Sequence, residues 1–147
     1  MAERVYVRDD AGRFSESGGG VTASRGDFAR QESAVARLRE VADGSESFSA
    51  GAVFTKVRAA EEEGVPEVPD SDFDKAPEVS VNLSEVVATQ PTLSAAVVEG
   101  YIRNPDQKLP KVIRHGRSLF LIDGHHQVAA KALLGIGSFR AKLVVSR

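Results

Sequence analysis

Leu119-Phe120-Leu121-Ile122-Asp123-Gly124-His125-His126-Gln127-Val128-Ala129-Ala130 passes from an apolar run through a single glycine into an alanine-rich run. Four apolar residues in a row predict a buried strand, and Asp123-Gly124 breaks it. The segment from His125 to about Leu134 then predicts a helix, with Val128, Ala129, Ala132 and Leu133 turned inward and Gly135 closing it. A helix that starts directly after a strand presents free backbone N–H groups and the positive end of its dipole, which attract phosphate or carboxylate. Gly124 lets a ligand approach the backbone because no Cβ stands in the way. His125 and His126 are two of the chain's three histidines. Asp123 is placed to orient an imidazole, take up a proton or hold a divalent cation.

The same residues also have a plainer reading. Asp123 is an ordinary N-cap, Gly124 an ordinary turn residue, and two histidines on an exposed turn need no ligand. Adjacent side chains on a helix diverge by about 100°, so this pair alone is poorly arranged for zinc.

Working outward, Val79, Val81 and Leu83 alternate with Ser80, Asn82 and Ser84 and predict a half-buried strand. Thr92 or Ser94 caps a helix carrying Leu93, Val97, Val98, Tyr101 and Ile102, which Asn104-Pro105 ends. Lys111 to Arg114 and Ser118 to Ile122 predict a hairpin turning at His115-Gly116-Arg117. Phe139 to Ser146 makes a last strand. The order β-α-β-β-α-β over residues 78–147 is a small α+β domain.

Upstream the composition changes. Residues 1–26, with the run Ser15-Glu16-Ser17-Gly18-Gly19-Gly20, predict a flexible N-terminal arm whose few apolar anchors cannot offset chain entropy. Residues 27–63 predict a helical segment. Its first helix starts at Asp27, with Phe28, Val35, Leu38 and Val41 on one face before Gly44. Its second runs from Ala50 to Glu63, with Val53, Phe54 and Val57 on one face. Glu61, Glu62 and Glu63 carry the wrong sign for the end of that helix. Residues 64–77 hold three prolines and four acidic residues. They predict an extended acidic linker and mark the domain boundary.

The net charge of −2 conceals a division: residues 1–77 carry −6 and residues 78–147 carry +4. The basic part is therefore the one suited to an anionic partner. The absence of cysteine excludes disulfides, thiolate metal sites and a cysteine nucleophile. No apolar run reaches the ~18–20 residues of a membrane helix, and Met1 to Asp10 lack the apolar core of a signal peptide. The expected partners therefore exclude a membrane.

Residues 79–146 resemble the ParB/sulfiredoxin superfamily, the ParB-like nuclease domain. The resemblance rests on VSVNLSEVVATQ (79–90) and LPKVIRHGRSLFLIDGHHQVAAKALLGIGSFRAKLVV (109–145), and most specifically on IDGHHQVAAKALLG (122–135). It covers just under half of the chain. It implies nucleotide phosphate bound at the strand-to-helix turn, on Gly124, His125, His126, Gln127 and Gln90. Gln90 matches a polar position after the family's first strand; its plainer role is to cap the next helix or face water. Sulfiredoxins carry a cysteine at the position of His125, so that activity is excluded. DNA-partition members carry Gly-Glu-Arg-Arg where this chain has Gly124-His125-His126-Gln127, and no helix-turn-helix domain follows before Arg147, so partition function is not expected. Free-serine kinases and many phage-encoded members share Asp-Gly-His-His, usually followed by Arg. Gln127 here lacks that fixed charge.

Lys108, Lys111, Arg114 and Arg117 form a basic run that suits nucleotide or nucleic acid, although most such charges only meet solvent. Tyr6 to Phe14 with the following Gly/Ser run resemble segments of tailed-phage head proteins. Two functions follow from the resemblance. In the first, a phage or prophage enzyme uses His125 or His126 as acid/base, Asp123 as orienting group or Mg²⁺ ligand, and Gln90 to position substrate. It acts as a nucleotide-dependent phosphotransferase or phosphodiester hydrolase with nucleotide and Mg²⁺ as cofactors. In the second, a non-catalytic virion or head-assembly component attaches to phage structural proteins through residues 1–63. Either one works in the host cytoplasm or the virion.

Overall fold

The computed structural model describes residues 25–105 and 108–146. Residues 31–147 form one compact unit, distinct from residues 1–30. The expected arm, 1–26, lies outside the described residues except for its last two, which open the first helix.

The elements in chain order are α1 (Arg25–Ala42), β1 (Ser47–Ser49), β2 (Lys56–Val57), α2 (Asp70–Asp74), β3 (Glu78–Asn82), β4 (Val86–Ala88) and β5 (Thr92–Ser94). They continue with α3 (Ala95–Arg103), β6 (Lys111–His115), β7 (Ser118–Asp123), α4 (His125–Leu133) and β8 (Ser138–Val145). Six strands make a mixed sheet in the order β2-β4-β7-β6-β8-β3, and β1 pairs with β5 in a separate ribbon. The architecture is α+β, as the alternation of apolar runs and helical segments predicts. Residues 78–146, however, run β-β-β-α-β-β-α-β rather than β-α-β-β-α-β. The short strands β4 and β5 form only through distant partners, β4 with β2 and β7 and β5 with β1.

Strand β7 lies inside the sheet, parallel to β4 and antiparallel to β6. Phe120 and Leu121 are consecutive yet both buried, because each face of an interior strand is covered. This explains why its sequence is a continuous apolar run. Strand β3 lies at the margin and alternates as expected, with Val81 buried while Glu78, Ser80 and Asn82 are exposed. The β6–β7 hairpin turns at Gly116, whose φ of 65° is open to glycine at little cost.

Several expectations change. The helix predicted over Ala50–Glu63 is instead a 3₁₀ turn (Ala50–Ala52), strand β2 and a turn closed by Val65 N–H donating to the Ala60 carbonyl. Ser49 accepts from Gly51 N–H to cap the 3₁₀ turn. Gly51, the β-branched Val53, Thr55 and Val57, and the terminal glutamates all oppose a helix, while β4 offers β2 a parallel partner.

The acidic linker and domain boundary at 64–77 also give way. Phe73 of α2 is 2% exposed, and Lys142 Nζ donates to the carbonyls of Asp74 and Ala76. Residues on both sides of 64–77 share one sheet and one core, in which Phe54 joins Val86 and Leu121. Helix α1 begins at Arg25, so Asp27 is not its cap. Its buried stripe is Ala34, Val35, Leu38 and Ala42, and Phe28 is exposed.

The strand β4, which no alternation announces, is three buried residues long and lies between β2 and β7. Ser94 caps α3, its Oγ accepting from Val97 N–H. Val98 and Ile102 are the buried positions of α3, Val97 is exposed, and Leu93 lies in β5. Helix α3 packs on α4. At the end of α4, Arg37 of α1 donates to the Leu133 carbonyl at 2.8 Å, a cation at the negative end of a helix.

Truncating Phe73 tests whether 64–77 belongs to the fold. Phe73→Ala is expected to lower stability by about 3 kcal/mol in urea unfolding. A freely hanging linker would leave the midpoint unmoved.

Candidate functional site

Strand β7 ends at Asp123 and α4 begins two residues later, with Gly124 between them as N-cap. Gly124 has φ 96° and ψ 21° and contributes no side-chain cap. A Cβ built there would lie 2.9 Å from Pro110 Cβ and 3.1 Å from its Cα. The close approach that glycine permits is therefore filled by the chain's own Pro110, which precedes β6. Asp123 is not the N-cap.

The two histidines follow immediately and diverge, as neighbours on a helix must. His125 is 3% exposed. Its Nε2 accepts from Thr89 N–H at 2.9 Å and from Gln90 N–H at 3.2 Å. An acceptor Nε2 leaves the ring proton on Nδ1, so the imidazole is neutral. Burial is the main cause that pushes its pKa down to about 4, helped by neighbouring His126 and opposed by Asp123. Thr89 Oγ1 donates to the Leu121 carbonyl at 2.7 Å, which ties the same loop to β7. Phe54 meets the His125 ring edge-on, with centroids 6.1 Å apart.

His126 turns the other way. Its Nε2 accepts from Ser94 N–H at 3.0 Å, and burial lowers its pKa too. Through the pair, the first turn of α4 is fastened to the loop after β4 and to the start of α3. Both Nε2 atoms are already engaged by backbone amides, so neither is poised as a general base on a substrate.

The remaining expected positions separate. Gln127, 7% exposed, donates from Nε2 to the Lys108 carbonyl at 2.7 Å. Gln90 donates its side-chain amide to the Thr92 carbonyl at 2.9 Å, and its backbone N–H, not its side chain, serves His125. Asp123 is exposed, and its Oδ2 lies 3.9 Å from Lys111 Nζ. Lys111 Nζ is 2.8 Å from Asp70 Oδ1. The hydrogen bond between these two lowers the Asp70 pKa and raises that of Lys111.

The ammonium between Asp70 and Asp123 occupies the place a metal ion would need. Among the described residues no three His, Cys, Asp or Glu side chains gather as ligands. The donor set around Asp123 does not fit Mg²⁺. Of the basic run, Arg114 and Arg117 stand exposed on the β6–β7 hairpin and Lys108 beside the start of α4, while Lys111 is mostly covered and ion-paired. The four do not act as one patch.

Sequence reading misses Thr89 and Pro110, and it misses the bond from Ser94 N–H to His126. Thr89 and Ser94 act through backbone N–H groups, which every residue has, and Pro110 acts by shape. What the site keeps for chemistry is the positive end of α4 behind an uncapping glycine. The chain matches no protein-family model, no curated protein and no solved structure.

Two measurements test this account. Between about pH 6.5 and 4 the unfolded chain binds a proton at residue 125 that the native chain does not. The contribution is therefore complete above about pH 6.5 and is lost as the pH falls toward 4, by about 3 kcal/mol in all. Urea unfolding across this range should show the slope, and His125→Gln should reduce it to the part that His126 contributes. Gly124→Ala should cost about 3 kcal/mol from the left-handed backbone and the Pro110 contact together. Adding Pro110→Gly should recover the contact part only.

Proposed function

We propose that residues 78–147 are a ParB/sulfiredoxin-like domain that binds an anionic oxygen of nucleotide or nucleic-acid phosphate at the Asp123-Gly124-His125-His126 turn without turning the ligand over. The observation that carries this reading is the strand-to-helix junction itself: a nine-residue helix starting from a left-handed glycine that contributes no side-chain cap. Such a junction directs backbone N–H groups and the helix dipole toward the same point. The locking of both imidazoles argues against acid/base catalysis, and Gln127 in place of the usual Arg agrees.

A second reading is favoured by the same locking. If both histidines serve the fold, the domain is a virion or head-assembly component in which the junction has become structural. Residues 31–63 belong to the compact unit, which narrows the expected attachment segment from 1–63 to 1–30. Removing residues 1–24 then abolishes incorporation into phage heads and leaves the melting temperature of the compact unit as it was.

Amide NMR distinguishes the two. With inorganic phosphate, or with nucleotide and Mg²⁺, the N–H signals of His125 and His126 should shift in a saturable way. The melting temperature should rise by about 3 °C at saturating ligand. His126→Ala should keep the shifts, and no phosphate should be released. Amides unmoved by millimolar nucleotide would leave the assembly reading, whereas turnover abolished by His126→Ala would restore the enzyme.

A further inference from the structure

We infer that β3 is a self-pairing edge through which two copies of this chain join their sheets antiparallel about a two-fold axis at Ser80. The six-stranded sheet has two margins, β2 and β3. Strand β2 is two residues long and β3 is five. Natural sheets guard a long edge with charged side chains, lysine above all, a proline, a bulge or a covering helix or loop. Within β3 the one charge is Glu78 at its first position, paired with Arg140 of the neighbouring strand. The strand holds no lysine, proline or bulge, and its register with β8 is uninterrupted from Glu78↔Lys142 to Asn82↔Ser138.

The ladder determines which backbone groups face outward. Leu143 N–H donates to the Pro77 carbonyl and Leu83 N–H to the Gly137 carbonyl. In an antiparallel pair hydrogen-bonded positions alternate, so Val79 and Val81 complete the ladder with Ala141 and Phe139. Glu78, Ser80 and Asn82 therefore direct their N–H and C=O groups away from β8. Among the described residues no backbone group bonds them there.

These groups complement themselves. An antiparallel copy centred on Ser80 sets Ser80 against Ser80 and Glu78 against Asn82, and all three positions on each strand exchange N–H···O=C bonds. On the other face Val79 stands opposite Val81 and extends the apolar side of the sheet. The outward row reads Lys142, Glu78, then Asn82 and Ser138 of the second copy, so the carboxylate lies between an ammonium and an amide and no like charges meet. Such a contact is isologous and closes at two copies. A single strand pair lies below the ~1,200 Å² of a standard stable interface, so the dimer is concentration-dependent.

Sedimentation of the full chain from 10 µM to 1 mM tests the pairing (concentrations on the order of those that reveal weak dimers). The weight-average mass should climb toward two copies, and the Ser80 amide should gain hydrogen-exchange protection as it does. Ser80→Pro removes the central outward donor and should leave a monomer. Ser80→Glu faces Arg140 within its own sheet but opposes itself across the axis. It should also leave a monomer, with an unchanged melting temperature, and it retains the test if the proline variant fails to fold. A chain monomeric at all concentrations overturns the inference. So does a Ser80 amide protected equally when dilute, or a dimer indifferent to Ser80→Glu.

Discussion

The first turn of α4 depends on one ring nitrogen. His125 Nε2 accepts two successive backbone amides, Thr89 N–H and Gln90 N–H, in part-buried bonds made by a buried ring. Without it those part-buried donors would lose their partner, each at a cost of about 1 kcal/mol. The bond pair joins the C-terminal end of β4 to the start of α4, and Thr89 Oγ1 adds a third tie to β7. Strands β4 and β7 are parallel neighbours, so the imidazole closes the gap at the end where both strands stop. The depressed pKa follows first from burial of the ring, which disfavours its charged form, and then from neighbouring His126.

Gly124 and Pro110 complete the same junction by shape. The left-handed glycine lets α4 start without an intervening loop, and the proline fills the space a side chain would take. Gln127 then reaches the Lys108 carbonyl. Three consecutive residues, His125 to Gln127, thus each send a side chain to a backbone group on a different segment. A turn built in this way is rigid, which suits a fixed anion cradle and equally suits a purely structural corner. The charge around it is partly internal, because Lys111 is shared by Asp70 and Asp123.

Much of this was legible in the residues. The strand β7, the pivot and helix α4 followed from the apolar run, the Asp-Gly break and the spacing of Val128, Ala129 and Leu133. The β6–β7 hairpin, the alternation of β3 and the capping of α3 by Thr92 or Ser94 were equally local, and the structure assigns the cap to Ser94. The failures were also physical. Residues 50–63 have helical spacing but poor helix formers, and the decision went to β4, a partner thirty residues away. The acidic, proline-rich 64–77 reads as linker because its one buried anchor, Phe73, is a single residue in a polar stretch.

The alternation of apolar runs and breaks, the exclusion of thiol chemistry and the strand–glycine–helix junction can be read along the chain, because they depend on periodicity, composition and backbone freedom between near neighbours. What the histidines do, the seating of Pro110 against Gly124 and the core that residues 31–63 share with 78–146 emerge only once the chain is folded. Those outcomes rest on backbone donors and on surfaces brought together across long stretches of chain, and backbone N–H groups are the same at almost every position, so no pattern of side chains announces which of them a buried nitrogen will find.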